Sequence, residues 1–295
     1  METSQINVVS IITGAINSLF SSLFSSIDNS LYSIIDDLVF LGPNIMKHPG
    51  LSNIFGSSQS SGLVLLANSL VIGFLLYYSL TYLLSHFTFA QIQNPFQFIF
   101  RMIFCLIFLN SAYYICTQIL FFTSAITLAI REIGENLFNT EICFSSLIKN
   151  LNAIIYLDGL SFNIFSIDGL LKGFISLGLL NLVLSYALRY VITLVFVLIS
   201  PFAFISLLLP ATTWIFKSWV KIFLSLLLLQ IFISLILLIT FSINVSNTDI
   251  FSKLTYIGSI YALMKANNYL RDFMSGLGTD INMGIANIRA LISGN

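Results

Sequence analysis

Arg189 is the residue in this chain whose chemistry its neighbours do least to satisfy. It stands near the middle of an apolar stretch covering roughly residues 173–200, and no charged residue follows it until Lys217. A charged side chain at the centre of a bilayer-spanning helix costs at least ~2.5 kcal/mol. Asn181, Ser185 and Arg189 are spaced four apart, so they share one face of a helix. A polar stripe of that kind turns toward other helices or a water-filled cavity. None of the apolar stretches offers Arg189 an acidic partner. Backbone carbonyls, an acid at a loop edge and a carboxylate from another subunit all remain open as its counterpart. The plainer alternative is that Arg189 snorkels, or caps carbonyls freed by a helix break at Pro201.

The second feature runs from Ser200 to Lys221. Pro201 lacks the N–H that would continue a helical ladder, so it is expected to end or kink the preceding helix. Leu209-Pro210-Ala211-Thr212-Thr213 follows, and then Trp214 and Trp219 interleaved with Lys217 and Lys221. If this stretch is helical, the two lysines share a face and the two tryptophans point in different directions. Tryptophan beside lysine at the entrance of a span is a common interfacial anchor. A broken or re-entrant segment at a docking surface is the functional alternative, because irregular backbone at membrane depth needs protein or water around it.

Catalytic patterns are missing from the sequence. His48 and His86 are isolated, and Cys105, Cys116 and Cys143 are scattered. The chain has no paired-cysteine motif, no helical His-Glu-x-x-His and no glycine-rich phosphate loop. No enzyme activity, metal or cofactor is therefore expected.

The elements that must hold these residues are set by composition. Of the 295 residues, 57% are hydrophobic and 8% charged, with twelve basic and twelve acidic side chains. Soluble domains carry about 25% charged residues, so this chain cannot cover a water-facing surface. No Asp, Glu, Lys or Arg occurs over His48–Phe100, Met102–Ile130, Tyr190–Phe216 or Ile222–Thr248. Each run exceeds the ~20 apolar residues needed to cross a bilayer core. The expected fold is all-α: a polytopic integral membrane protein with about five transmembrane helices behind an N-terminal amphipathic segment.

Three regions are expected along the chain. Residues 1–62 comprise an amphipathic helix or helix pair over 5–40, then a Pro-, Gly- and Ser-rich linker. A transmembrane domain follows over 63–266, with spans at Leu63–Leu84, Phe96 to about Ile119, 173–200 and Val220–Phe241, and a weaker fifth at Phe251–Leu263 whose length suits a short span, a re-entrant helix or an interfacial helix. An outside loop covers 131–171, and a polar tail occupies 267–295. In the first region Ile12, Ile16, Leu19, Phe20, Leu23 and Phe24 begin an apolar stripe at three- and four-residue intervals. The opposite face is acidic, which does not suit an anionic lipid surface. The stripe is expected outside the cytoplasm, at the interface or on a partner, or else against the chain's own spans. Lys217 and Lys221, with no acid nearby, place the 201–221 connection in the cytoplasm by the positive-inside rule. Counting outward puts the N-terminus outside and the C-terminus in the cytoplasm of a cell (plasma or inner) membrane.

These features resemble the TrbL family of conjugal transfer proteins, the polytopic VirB-type inner-membrane component of type IV secretion systems. The resemblance is carried by Arg189-Tyr190, Ser200-Pro201-Phe202-Ala203-Phe204, Leu209-Pro210-Ala211-Thr212-Thr213, Trp219, the span through Gln230, and Asn268-Tyr269-Leu270-Arg271. It is best over about residues 170–275. What it implies is a non-enzymatic channel subunit, a likeness also in the plan of outside N-terminus, about five spans and inside C-terminus. The implied partners are the machine's ATPases and other membrane subunits, membrane lipid, further copies of the chain, and transferred single-stranded DNA or protein. Asn181, Ser185, Arg189, Pro201, Pro210, Trp214, Lys217, Trp219 and Lys221 are then the expected path-lining or subunit-contact residues. The competing expectation is the transmembrane subunit of a small-molecule transporter, which calls for paired broken helices in two repeated halves. A pore-forming or toxin-immunity membrane protein is a third.

Overall fold

The computed structural model describes residues 8–47, 49–56, 62–88, 94–156, 167–243, 254–266, 268–270 and 272. Among these residues the regular structure is entirely helical. In chain order the helices are α1 (Val8–Val39), α2 (Pro49–Phe55), α3 (Leu63–Thr88), α4 (Pro95–Asn110), α5 (Ala112–Phe138), α6 (Phe144–Tyr156), α7 (Ile167–Ile205) and α8 (Thr213–Ser242). A ninth, α9, covers residues 254–266. Short 3₁₀ turns at Pro43–Lys47 and Pro210–Thr212 precede α2 and α8. The Ser-rich run at 57–61, the middle of the expected 131–171 loop with Asp158, and the tail from 273 with its glycines and Arg289 lie outside the described residues.

Among the described residues, four segments are long and apolar enough to cross a membrane: Leu63–Phe87, Ala112–Phe138, Gly169–Ile205 and Pro210–Ser242. Two shorter apolar helices, Ile11–Leu23 and Pro95–Asn110, accompany them. The all-α polytopic membrane fold expected from composition is the fold found.

The chain divides into two units. The first comprises Met1–Phe40, Ile126–Leu188 and Leu229–Asn295, and the second Leu41–Ala125 and Arg189–Leu228. In the first unit α1 packs on α6, and the junction is polar as well as apolar. The Asp36 carboxylate accepts hydrogen bonds from Phe144 N at 2.9 Å, Ser145 N at 3.3 Å and Ser145 Oγ at 2.6 Å. The opening N–H groups of a helix have no partner within it. Here a side chain from a helix more than a hundred residues earlier meets them, and its negative charge suits the helix N-terminus. Arg131 donates from Nε to the Ile142 carbonyl at 2.8 Å, and its guanidinium lies 4.6 Å from the Phe40 ring centroid. Gly134 admits this approach: a Cβ there would meet the Ile142 side chain at 2.6 Å and Leu238 at 2.7 Å. Tyr256, Ile260, Leu263 and Ala266 bury one stripe of α9, and Tyr186 Oη donates to the Leu263 carbonyl at 3.0 Å.

The second unit has a core of buried side chains from Leu41 to Leu120 and from Val197 to Leu227. Its helix α3 packs on α4, where the Tyr78 and Phe98 rings stack at 3.8 Å. Asn68 on α3 donates to the Asn110 side chain at 3.2 Å. Phe55 packs its ring 5.0 Å from Tyr113, whose hydroxyl donates to the Met46 carbonyl.

Several boundaries differ from the sequence expectation, each for a local reason. The second span is not one helix: α4 stops at Asn110 and α5 begins at Ala112. Between them Ser111 adopts φ −93°, ψ 1°, the sparsely allowed bridge region. The Asn110 side chain bonds back to the Leu106 carbonyl at 2.8 Å, the local competition that weakens a helix interior. The expected 131–171 loop is largely helical, because α5 runs on to Phe138 and α6 follows after Asn139, which takes a positive φ of 52°. Phe144, Leu147 and Ile148 form the buried face of α6, an i, i+3, i+4 pattern. Pro201 does not end the third span, since α7 continues to Ile205. Residues 254–263 of the expected fifth span lie in α9, which is not among the helices long and apolar enough to cross a membrane. Its thirteen residues rise only about 20 Å against a core of about 30 Å.

Candidate functional site

The residues singled out by sequence do not gather in one place. Asn181 and Ser185 lie on the first-unit part of α7, and both are exposed. Ser185 Oγ donates to the Asn181 carbonyl at 2.8 Å, the usual way a hydroxyl is satisfied within an apolar helix. Arg189, in contrast, is 2% exposed. The shared face expected of the three residues is lost because a spacing of four advances by about 400°, so the stripe drifts about 40° per step. Over two steps that drift carries Arg189 off the surface that Asn181 occupies.

Arg189 finds a backbone carbonyl, one of the open expectations. Its Nε donates to the Leu226 carbonyl on α8 at 2.9 Å, while its own carbonyl accepts from Thr193 Oγ1 at 2.8 Å. Nearer the connection, Trp219 repeats the device, with Nε1 donating to the Phe196 carbonyl on α7 at 2.9 Å. Two donors reaching across antiparallel helices to main-chain carbonyls fix the register of α7 against α8 within the second unit. Hydrogen bonds between membrane helices are worth about 0.6 kcal/mol on average. Their main effect here is therefore on register, with a smaller one on stability.

Pro201 is buried inside α7. Its missing N–H would have bonded the Val197 carbonyl four residues back. The Ser200 hydroxyl takes that carbonyl instead, at 2.7 Å. Helix is thus sustained through Pro201 and closes in a tightened last turn, with Ser206, Leu207 and Leu208 N–H groups bonding three residues back. Cys105 donates its thiol to the Phe204 carbonyl at 3.4 Å. The Phe204 ring lies 5.7 Å from Trp219 and 5.3 Å from Phe216, and Trp219 stacks 5.2 Å from Phe223.

The connection itself is short. Pro210 is exposed and opens the single 3₁₀ turn. Thr212 Oγ1 bonds the Ser206 and Leu209 carbonyls at 2.8 and 3.1 Å, and Thr213 Oγ1 bonds Leu209 at 3.2 Å. Because α8 already begins at Thr213, all of Trp214, Lys217, Trp219 and Lys221 are helical. The tryptophans diverge as a helical spacing of five demands: Trp219 is 6% exposed and Trp214 is 64% exposed. Lys217 is exposed and Lys221 half-buried.

Sequence reasoning named Ser200 and Phe204 only within the stretch that carries the resemblance and gave neither a role; the place of Ser200 immediately before a proline in a span was a readable signal, and Phe204 had none. Lys172, near the start of α7, is a charged side chain only 1% exposed. Gln230, in the span that carries part of the resemblance, is fully buried, and its side-chain amide meets no hydrogen-bond partner among the described residues. No group of three His, Cys, Asp or Glu able to hold a metal occurs among the described residues. Comparison with the models of known protein families finds no match to this chain, and comparison with curated proteins finds none either.

Proposed function

We propose that this protein is a membrane-embedded structural subunit of a conjugation-type (type IV) secretion machine, one that helps form the route of DNA or protein across the cell membrane. One observation supports this above the rest. The residues that carry the TrbL resemblance in the second unit, from Ser200-Pro201 through Phe204 and Pro210-Thr213 to Trp219, pack into a single feature at the α7–α8 connection. Arg189 then binds α8 one further step along. Such an arrangement holds a helical hairpin rigid while presenting Trp214, Lys217 and Pro210 on its exterior, as a docking surface requires. Buried Arg189, Pro201 and Trp219 hold that surface in place, and the exposed residues meet the machine's other membrane subunits or its ATPases.

In this reading the α7–α8 connection faces the cytoplasm, the N-terminal segment lies outside, and the cytoplasmic tail requires α9 to cross. Pairing Lys217→Glu, which alters the exterior alone, with Arg189→Leu separates contact from scaffold. Both variants are expected to insert normally and to lower conjugative transfer at least tenfold. Wild-type transfer by both, at wild-type membrane levels, would sink the proposal.

A transporter subunit is the second reading, and the break between α4 and α5 at Ser111 favours it, since broken spans mark carrier binding sites. It predicts uptake or export of a small solute that Ser111→Ala abolishes, with transfer unaffected.

A further inference from the structure

We propose that α7 carries a self-association seam through which two copies of this chain pack in parallel, with Asn181 of one meeting Asn181 of the other. Phe174, Leu177, Asn181, Leu184 and Leu188 are all exposed, and they follow one another at intervals of three, four, three and four. That is the heptad repeat of a helix seam, with a polar residue at one of its otherwise apolar positions. Lipid covers the leucines adequately. It cannot satisfy the amide.

The Asn181 side chain has no hydrogen-bond partner among the described residues; only its carbonyl is engaged, by Ser185. The residue stands about 18 Å along the helix from Gly169, where the apolar segment begins, so it lies well inside a stretch that continues to Ile205. Elsewhere the chain meets the same demand by pairing amides between helices, as Asn68 and Asn110 do at 3.2 Å.

A second copy is the occupant that these facts select. All copies of a membrane chain insert with one orientation, so association about an axis along the membrane normal brings identical residues together at equal depth. A side-chain amide carries both donor and acceptor and is complementary to itself. A single asparagine in such a seam also fixes register and the number of helices, because any slip leaves the amide facing leucine. The inference stands on the membrane fold alone and does not need the secretion reading.

The test uses the full chain with Cys105, Cys116 and Cys143 replaced by alanine, purified and reconstituted at low protein-to-lipid ratio. Single cysteines are placed at Leu177, at Leu184 and, as a collision control, at exposed Leu76 of α3. On mild oxidation, covalent dimers are expected at 177 and 184 and not at 76. Adding Asn181→Leu should lower the yield roughly three- to tenfold, while Asn181→Gln, which keeps donor and acceptor, retains most of it. Equal yields at all three positions, no dimer at any, or a yield indifferent to Asn181→Leu would each overturn the proposal. So would a cross-link in native membranes to a different protein with none between purified copies.

Discussion

Ser200 and Pro201 act as a pair. The proline removes a main-chain donor and the serine hydroxyl replaces it at the Val197 carbonyl, so their contributions are coupled. Ser200→Ala alone is expected to cost about 1–2 kcal/mol, since it leaves a buried acceptor open. In a Pro201→Ala background the same change costs little, because the new alanine supplies the missing N–H. Unfolding by detergent titration across this double-mutant cycle measures the coupling, and strict additivity would contradict it. Trp219→Phe keeps the packing against Phe204 and Phe223 but loses the bond to Phe196, for about 0.6 kcal/mol. Trp219→Ala empties the site and is expected to cost about 3–5 kcal/mol. The importance of Arg189 and of the tryptophans was legible in the sequence because charge and indole are conspicuous among leucines. Their partners were not legible, since Leu226 and Phe196 offer backbone carbonyls, which every residue has.

Among the elements, the α1–α6 junction rests on Asp36, whose carboxylate accepts three hydrogen bonds at the start of α6. Asp36→Ala is expected to destabilise this junction by about 1–3 kcal/mol, seen as faster amide exchange through α6 with α3 unaffected. Asp36→Asn, which keeps an acceptor, should recover part of the protection. Protection unchanged in Asp36→Ala would contradict the assignment. Gly134→Val should loosen the same unit by forcing Ile142 and Leu238 apart, whereas Gly73→Ala on α3, which meets open space, should not. Helix existence was legible wherever apolar periodicity or a charge-free run was long. The breaks were not: Ser111 sits within a charge-free run, and Pro201 reads as a stop unless the hydroxyl before it is taken into account. The helix α6 was lost inside a stretch of mixed charge, although Phe144, Leu147 and Ile148 already showed its period. Its docking to Asp36 joins residues too far apart in the chain to leave a local signal.

For the whole molecule, composition alone was enough to establish a helical membrane protein, because a chain with 8% charged residues has no other way to meet its solvent. The proposed orientation depends on a few lysines, Lys217 and Lys221 above all. A cysteine at exposed Asn44 is therefore expected to react with a membrane-impermeant maleimide from outside intact cells. One at exposed Ala211, in the α7–α8 connection, should react only after the membrane is opened. The opposite pattern would invert the topology and move the docking surface to the other side. The central claim, membership of a conjugative transfer machine, is tested most directly by conjugation frequency after an in-frame deletion of the gene, with and without the wild-type copy in trans. Transfer should collapse on deletion and return on complementation; a frequency unchanged by the deletion would contradict the account.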